Sequence, residues 1–145
     1  MRAALREAEK AAAEGEVPIG CVIVKDDVII ARGRNARETK KNALLHAETV
    51  AIGKAGKKLG GWRLWQCEMY VTLEPCPMCC GAIINSRIRK VTIAAPDPKA
   101  GAMGSVVDLT ALPFNHKPEI SRGLMEEESR ALLQAFFHRL RQKKK

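Results

Sequence analysis

Hydrophobic and polar residues follow two different periods in the first third of the chain. Residues 2–14 are rich in Ala, Glu, Lys and Arg, which are strong helix formers, and their apolar positions recur every three or four residues. The apolar positions are Met1, Leu5, Ala8 and Ala12. Two short runs rich in β-branched residues follow at 21–24 and 28–31, separated by Asp26 and Asp27, which favour a turn. We therefore predict an amphipathic helix followed by a β-hairpin.

The middle of the chain alternates between helical and strand patterns. Helical spacing predicts a helix that has His46 in its first turn and ends at the glycines of 60–61. Its apolar positions are Leu45, Thr49, Ile52, Ala55 and Leu59. Next come a strand at 68–73, a helix from Pro77 and a strand at 91–94. Because a helix connects the last two strands, we expect them to lie parallel.

The last third of the chain begins with a loop and ends with a helix. The loop at 96–104 leaves the carboxyl end of a strand, and 109–117 looks irregular, with 119–122 as a short edge strand. A helix opens at Glu126 with an acidic first turn and a basic end, which suits its dipole. We expect its buried stripe to be Leu132, Leu133, Phe136, Phe137 and Leu140. These patterns support the order αββαβαβ, closed by this helix, in one domain over residues 1–145.

Two tryptophans stand between the His46 helix and the next strand. Trp62 and Trp65 could stack on nucleic-acid bases, but no aromatic series surrounds them. The following strand needs a covered face, so we expect the two rings to pack in the core and at an interface. Cys21 and Cys67 are best explained as small buried hydrophobes.

Composition narrows the class of protein. The chain has 145 residues, 46% of them hydrophobic, which suits a single globular domain. Lysine and arginine number 25 against 16 acidic residues, for a net charge of +9. This charge favours a phosphate-rich partner, the alternative being a solvated lysine surface. Five cysteines, with neither a secretory signal nor an apolar run of about 18 residues, indicate a cytoplasmic protein without a disulfide framework or a membrane helix.

Positive charge is concentrated in one predicted loop and at the C-terminus. The loop between the hairpin and the His46 helix carries Arg32, Arg34, Arg37, Lys40 and Lys41. The terminal tail includes Arg139, Arg141 and the three lysines of 143–145. Both segments could follow a phosphate backbone or be solvent-exposed chain. The position of the loop next to the expected pocket favours contact with RNA, whereas a charge run at a terminus is usually solvated chain.

A cluster of metal-binding residue types spans two of the predicted helix starts. Glu74 and Pro75 stop the strand before Cys76, and Cys79 follows one helical turn later, on the same face. With His46 these cysteines make three ligands, so a zinc ion would keep a fourth position for water. Two alternatives exist: Cys80, four residues after Cys76, and His116 as a fourth ligand. The three-residue spacing from Cys76, together with the proline pattern, favours Cys79 over Cys80. A lone histidine far along the chain is more often a packing or hydrogen-bonding residue.

Glu48 adds a proton carrier to this predicted metal site. Residues two apart on a regular helix point away from each other, so His46 and Glu48 converge only near a helix end. There the unpaired N–H groups and the positive dipole end favour thiolates and a bound hydroxide. Zinc lowers the pKa of bound water to about 7, and a neighbouring carboxylate can carry its proton to a ring nitrogen and a leaving amine. The residues therefore point to hydrolytic deamination.

The motif His46-Ala47-Glu48 with Pro75-Cys76-Pro77-Met78-Cys79 matches the H-x-E and P-C-x-x-C signature of the zinc nucleobase deaminases. Further stretches resemble the bacterial tRNA adenosine deaminases over nearly the whole chain, in order and approximate spacing. They are Glu16 to Gly20, Gly33 to Asn35, Tyr70 to Arg87, Asp97 to Ser105, Asn115-His116 and the Phe136-Phe137 helix.

This resemblance implies an α/β fold, the cytidine-deaminase-like α/β/α sandwich with a mixed five-stranded sheet. It implies one zinc ion per chain on His46, Cys76 and Cys79, with Glu48 as the proton shuttle. Asn35 would hydrogen-bond the flipped adenine and Asp97 a ribose hydroxyl of the flanking nucleotide. The family's enzymes convert the wobble adenosine of a tRNA anticodon loop to inosine and are commonly homodimers.

Three departures from the family pattern concern the pocket wall and the nucleotide-flanking loop. They are the run Asn42 to Leu45, Cys80 in place of alanine, and Pro96 before Asp97. Substrate identity is thus less constrained than reaction type, and two other functions stay open. One is deamination of a free base or nucleoside such as guanine or cytidine. The other is a non-catalytic, zinc-stabilised RNA-binding module, which the carboxylate at position 48 disfavours.

Overall fold

A computed structural model describes residues 1–144 as four α-helices and one five-stranded β-sheet. The helices are α1 (Arg2–Ala13), α2 (Ala47–Leu59), α3 (Pro77–Asn85) and α4 (Glu126–Lys143). The strands are β1 (Gly20–Lys25), β2 (Val28–Arg34), β3 (Cys67–Leu73), β4 (Lys90–Ala95) and β5 (Glu119–Arg122). A 3-10 turn, Leu109–Ala111, interrupts the irregular segment before β5. Lys145, the end of the predicted basic tail, lies outside the described residues.

The order and direction of the strands bring the carboxyl ends of two strands together. The strands lie in the order β2-β1-β3-β4-β5. Strand β1 is antiparallel to β2 and β3. Strand β4 is parallel to β3, as the crossover helix α3 predicts, and it is also parallel to β5. The carboxyl ends of β3 and β4 therefore meet at the same edge, which is where α/β sheets usually bind ligands.

Helices cover both faces of the sheet. Helix α2 packs on β1 and β2 and contacts α3, while α1 and α4 lie on the opposite face. Ile23 belongs to the core under α2 and α3, and its neighbour Val22 is buried outside that cluster, as alternating strand residues require. This arrangement confirms the predicted α/β/α sandwich with a mixed five-stranded sheet.

Close contact between helix and sheet decides which residues of α2 are buried. A Cβ atom built on Gly33 of β2 would lie 2.1 Å from the Ala47 carbonyl oxygen, so the helix rests almost directly on the strand. Small residues must therefore face the sheet. The buried positions of α2 are Ala47, Glu48, Ala51 and Ala55, whereas Leu59 is 38% exposed. Of the apolar positions that the sequence pattern gave for this helix, Ala55 alone is fully buried.

Two further predictions about burial are wrong in whole or in part. In α4, Ser129 is buried, but Leu132, Leu133 and Phe136 are half-buried, and Phe137 and Leu140 are each 40% exposed. The tryptophan rings do not enter the core, so that half of the prediction is wrong, whereas packing at an interface stays a prediction. Trp62 is 55% exposed and Trp65 61% exposed.

Strand β2 also runs further than predicted, because it continues to Arg34. Arg32 and Arg34 thus belong to the sheet and not to the basic loop. The Arg34 guanidinium is also engaged, since it forms ion pairs with Glu7 and Glu14. The basic segment at this edge of the molecule is therefore Arg37 to Lys41. Cys21 and Cys67 are buried, as predicted.

Candidate active site

Two helix starts bring the predicted metal ligands together. His46 immediately precedes α2 and has an extended backbone, φ −80° and ψ 161°, so Glu48 falls in the first turn. Cys76 has the same relation to α3, with φ −72° and ψ 173°, and Pro77 takes the first helical position. The extended residue before each helix turns its side chain toward the other helix start, as the end-of-helix argument requires.

The donor atoms of these residues suit a zinc ion. The Nδ1 atom of His46 lies 3.6 Å from Sγ of Cys76 and 3.5 Å from Sγ of Cys79, and all three donors lie within 4.8 Å of one another. A tetrahedral zinc with bonds of about 2.0–2.1 Å to nitrogen and about 2.3 Å to sulfur separates such atoms by about 3.6 Å. One imidazole and two thiolates are also ligands that zinc prefers.

The two alternative ligands lie elsewhere. Among residues 1–144, the cluster able to hold a metal contains His46, Cys76 and Cys79 but neither Cys80 nor His116. Cys80 is fully buried in the hydrophobic core, and its thiol pKa is raised to about 11 by burial. Nε2 of His116 lies 2.7 Å from the Ile88 carbonyl oxygen, which is the hydrogen-bonding role expected of it.

The electrostatics of the cluster favour metal binding and proton transfer. A hydrogen bond with the Cys79 thiol, supported by the His46 ring, lowers the pKa of Cys76 to about 4 and so favours the thiolate form. Glu48 is only 4% exposed, and this burial raises its pKa to about 7. A carboxyl with such a pKa both accepts and releases a proton near neutral pH.

A cavity of about 390 Å³ opens above these residues. His46, Glu48 and Cys76 form part of its lining, and the loops after β3 and β4 form its rim. This volume fits the usual range for small-molecule sites.

The structure places Asn35 and Asp97, the two residues expected to bind the substrate, on the wall of this cavity. Asn35 is 5% exposed and is fixed by two bonds: its Nδ2 donates to the Val17 carbonyl, and its Oδ1 accepts from the Arg37 N–H, both at 3.3 Å. Asp97 caps its own turn by accepting from the N–H groups of Lys99 and Ala100. Both side chains are therefore held in position before any substrate arrives.

The cavity wall includes residues to which the sequence analysis gave other roles. Leu133 and Phe137 reach it from α4, and Glu74 lies beneath the loop after β4. The apolar pattern of α4 was visible, but a helical stripe does not indicate whether it faces the sheet or a ligand cavity. Glu74 was interpreted as the residue that ends β3, and no spacing rule linked it to a loop more than twenty residues away.

Comparison with known proteins agrees with this geometry. The model of the cytidine and deoxycytidylate deaminase zinc-binding region matches residues 1–95. The chain therefore belongs to this family of zinc-dependent deaminases, and His46, Cys76 and Cys79 form the site for its one zinc ion.

The relatives define a narrower group. The tRNA-specific adenosine deaminase of Bacillus subtilis (strain 168) is 50% identical over 146 residues, covering 100% of this chain and 91% of the relative. A solved structure from work on A-to-I editing by tRNA:A34 deaminases at the wobble position has a TM-score of 0.90 and 43% identity, covering 92% of this chain and 97% of that one. Within the family, the chain groups with these tRNA-specific adenosine deaminases.

A guanine deaminase from Bacillus subtilis is also similar in structure. Its TM-score is 0.64 with 36% identity, covering 94% of this chain and 90% of that one. The fold is thus shared by enzymes that act on a polymer and on a free base. Both TM-score and identity are lower than for the tRNA:A34 deaminase structure.

Proposed function

We propose that this protein deaminates adenosine to inosine at the wobble position of a tRNA anticodon loop. The observation that carries this proposal is the buried Glu48 carboxyl beside a three-ligand zinc site at the base of an open cavity. Similarity to tRNA-specific adenosine deaminases over the whole chain, at 50% identity, supports the choice of substrate. A non-catalytic module would have no use for a buried acid at this place.

The chain's own residues supply binding and proton transfer. Zinc on His46, Cys76 and Cys79 supplies Lewis acidity, which makes water a competent nucleophile at neutral pH. Glu48 takes a proton from the water that attacks C6 of adenine and delivers it to N1. Glu48 then carries the proton of the C6 hydroxyl to N6, and the C6–N6 bond breaks. The amino group leaves as ammonia, and the C6=O carbonyl of inosine remains with N1 protonated. Burial of Glu48 keeps its pKa near the pH at which both transfers must occur.

Asn35 and Asp97 would orient the substrate in this scheme. The fixed amide of Asn35 offers hydrogen-bonding atoms to the edge of a flipped adenine, and its buried position matches a base inserted into the cavity. Asp97 lies at the rim, where a carboxylate can accept a hydrogen bond from a ribose hydroxyl of the next nucleotide. Alanine at either position should weaken RNA turnover while zinc content stays the same, and unchanged turnover would remove that residue from the scheme.

A single-stranded RNA loop suits the rim of the cavity. Arg37 and Lys99 line it, and the exposed Lys40 and Lys41 continue the basic surface. Phe137 presents a 40% exposed ring at the same rim, where bases splayed from a loop can stack. Turning a base out of a loop also costs little free energy, because the bases of a loop are already unpaired.

We further propose that the enzyme is a cytoplasmic homodimer. The groove between α2 and α3 is lined by Ile52, Gly53 and Trp62 among others, and a Cβ built on Gly53 meets nothing within 4 Å. Open glycines beside an exposed ring fit close packing of a second copy.

All five cysteines are free thiols, which persist in a reducing compartment. Sedimentation at the mass of one 15.9 kDa chain, or recovery outside the cytoplasm on cell fractionation, would contradict these proposals.

Substrate choice is tested by comparing an RNA substrate with free nucleosides and a free base. The zinc-loaded protein is incubated with an RNA hairpin that presents adenosine in an anticodon-type loop, and separately with free adenosine, cytidine and guanine. We expect inosine from the hairpin and no product from the free compounds. Product from a free base or nucleoside alone would assign the protein to nucleotide salvage instead.

A further inference from the structure

Glu74 is a buried acid for which the proposed mechanism has no use. It lies two residues before Cys76, is 3% exposed and forms part of the cavity wall. A buried carboxylate is costly unless its oxygens accept hydrogen bonds. All the side-chain hydrogen bonds of Glu74 come from one segment, the 97–105 loop between β4 and β5. We call this segment the rim loop.

The rim loop is wrapped around this carboxylate. Its Oε2 accepts from the Met103 N–H at 3.1 Å and from the Ser105 N–H at 3.2 Å. Its Oε1 accepts from the Asp97 N–H at 3.4 Å and from the Ser105 hydroxyl. One side chain therefore joins the first, seventh and last residues of the loop.

Two other contacts show how closely the rim loop fits. A Cβ built on Gly101 would lie 2.1 Å from Oε2 of Glu74, so the loop approaches the carboxylate at a position where a side chain has no room. Arg122 of β5 donates to the carbonyl of Met103, whose N–H is already bonded to Glu74. Met103 is thus held from both sides.

We propose that Glu74 is a positioning residue that holds Asp97 against the substrate and so sets the affinity for the nucleotide flanking the reacting adenosine. This inference rests on the role proposed for Asp97. The Asp97 carboxylate is bonded to its own turn, so its place follows the loop backbone. That backbone is tied to Glu74 at the Asp97 N–H itself, while the strand end carrying Glu74 continues into the metal ligand Cys76.

Glutamine at position 74 separates this role from general support of the loop. With its carbonyl in place of Oε2, the amide keeps the bonds from the N–H groups of Met103 and Ser105. Its NH2 group donates to the Ser105 hydroxyl, which can reverse its role. In this orientation the bond from the Asp97 N–H is lost, because two donors face each other. Flipping the amide would restore it only at the cost of the two bonds from Met103 and Ser105.

We expect Glu74→Gln to raise KM for the RNA hairpin roughly three- to tenfold, as befits one lost hydrogen bond, with kcat and zinc content unchanged. In an Asp97→Ala background the same change should leave KM where Asp97→Ala alone puts it. Ser105→Ala is the matched control, since it removes one hydroxyl and keeps every backbone bond to Glu74. It should alter KM less than Glu74→Gln does.

Three results would overturn the inference. An equal rise in KM in the Asp97→Ala background would show that Glu74 acts without Asp97. Loss of zinc or of kcat at unchanged KM would make Glu74 a support of the metal site. Should Glu74→Gln fail to fold, Gly101→Ala disturbs the same contact from the loop side, and an unchanged KM there would also contradict the inference.

Hydrogen exchange separates this test from the proposed function. If the wild-type protein leaves the hairpin unchanged, the proposed function is contradicted, but the hydrogen bonds between Glu74 and the rim loop are not tested. The amide of Asp97 should exchange faster in Glu74→Gln than in the wild type, whatever the substrate. Equal exchange rates would contradict the claim that Glu74 holds the rim loop at Asp97.

Discussion

At the scale of single residues, two buried glutamates beside the metal site differ in what surrounds them. Burial raises the pKa of Glu48 to about 7, which keeps its proton mobile near neutral pH. Glu74 instead accepts four hydrogen bonds from the rim loop. The first environment suits proton transfer, and the second suits a hydrogen-bond acceptor that holds a loop in place.

Replacing Glu48 by alanine should separate metal binding from chemistry. We expect inosine formation to fall about 10²- to 10⁴-fold, the usual contribution of a general acid–base group. Zinc content should remain one ion per chain, because Glu48 is not one of the three clustered donors. Metal analysis and an inosine assay on the same sample check both, with Glu9→Ala on the exposed side of α1 as control. Substantial residual turnover would remove Glu48 from the mechanism.

Glu7 should make stability depend on acid pH. It is 3% exposed; burial alone would raise its pKa, but hydrogen bonds from Lys10 and Arg34 outweigh this and lower it below 4.5. Its contribution is therefore complete above pH 4.5 and is lost as pH falls through the lower folded-state pKa. At pH 7, Glu7→Gln should cost about 1–3 kcal/mol of unfolding free energy.

Urea denaturation of both proteins across this pH range tests the Glu7 prediction. The gap between wild type and Glu7→Gln should narrow below pH 4.5. A gap that stays constant into strong acid would show that the ionised carboxylate is not what stabilises α1 against β2.

At the scale of elements, the sequence predicted what periodicity and breakers determine locally. The order of helices and strands, the parallel β3–β4 pair and the two helix starts that carry the ligands all agree with the structure. The buried stripe predicted for α4 does not agree, and the buried face of α2 was not predicted. Gly33 lets α2 approach so closely that alanines face the sheet, and α4 turns Leu133 and Phe137 toward the cavity. Both depend on distant neighbours, which a local pattern does not contain.

The contact between α2 and β2 makes the zinc affinity depend on Gly33. A methyl group there would lie 2.1 Å from the Ala47 carbonyl oxygen and 2.8 Å from the Ala51 nitrogen, so α2 must shift. His46 lies at the start of that helix, and we expect Gly33→Ala to weaken zinc binding at least tenfold, the lower end of what misplaced ligands cost. Gly81→Ala is the control on α3, where an added Cβ meets nothing within 4 Å. Equal zinc affinity in both variants would contradict this account.

At the scale of the whole molecule, charge and topology act together. The net charge of +9 favours RNA, and the exposed residues Arg37 to Lys41 place part of that charge beside the cavity. Composition alone could not say where the charge lies, because Arg34 and Lys10 are engaged with acids of α1. Within residues 1–144, no helix combines the length and apolarity that crossing a membrane demands.

Salt should weaken RNA binding in proportion to the phosphates contacted. A protein that neutralises about three phosphates of a single strand loses roughly tenfold or more in affinity between about 50 and 200 mM salt. Lys40→Ala should reduce the slope of log affinity against log salt by about 0.7. Lys58→Ala, near the far end of α2, should leave it unchanged. A flat salt response in the wild type would contradict phosphate recognition.

The most direct test of the account is to react the zinc-loaded protein with the anticodon-type RNA hairpin in oxygen-18-labelled water and to analyse the loop nucleotides by mass spectrometry. The account predicts inosine at the wobble position carrying one labelled oxygen, because water supplies the new C6–O bond. An adenosine that remains unchanged, under conditions where zinc is bound and the RNA binds, would contradict it.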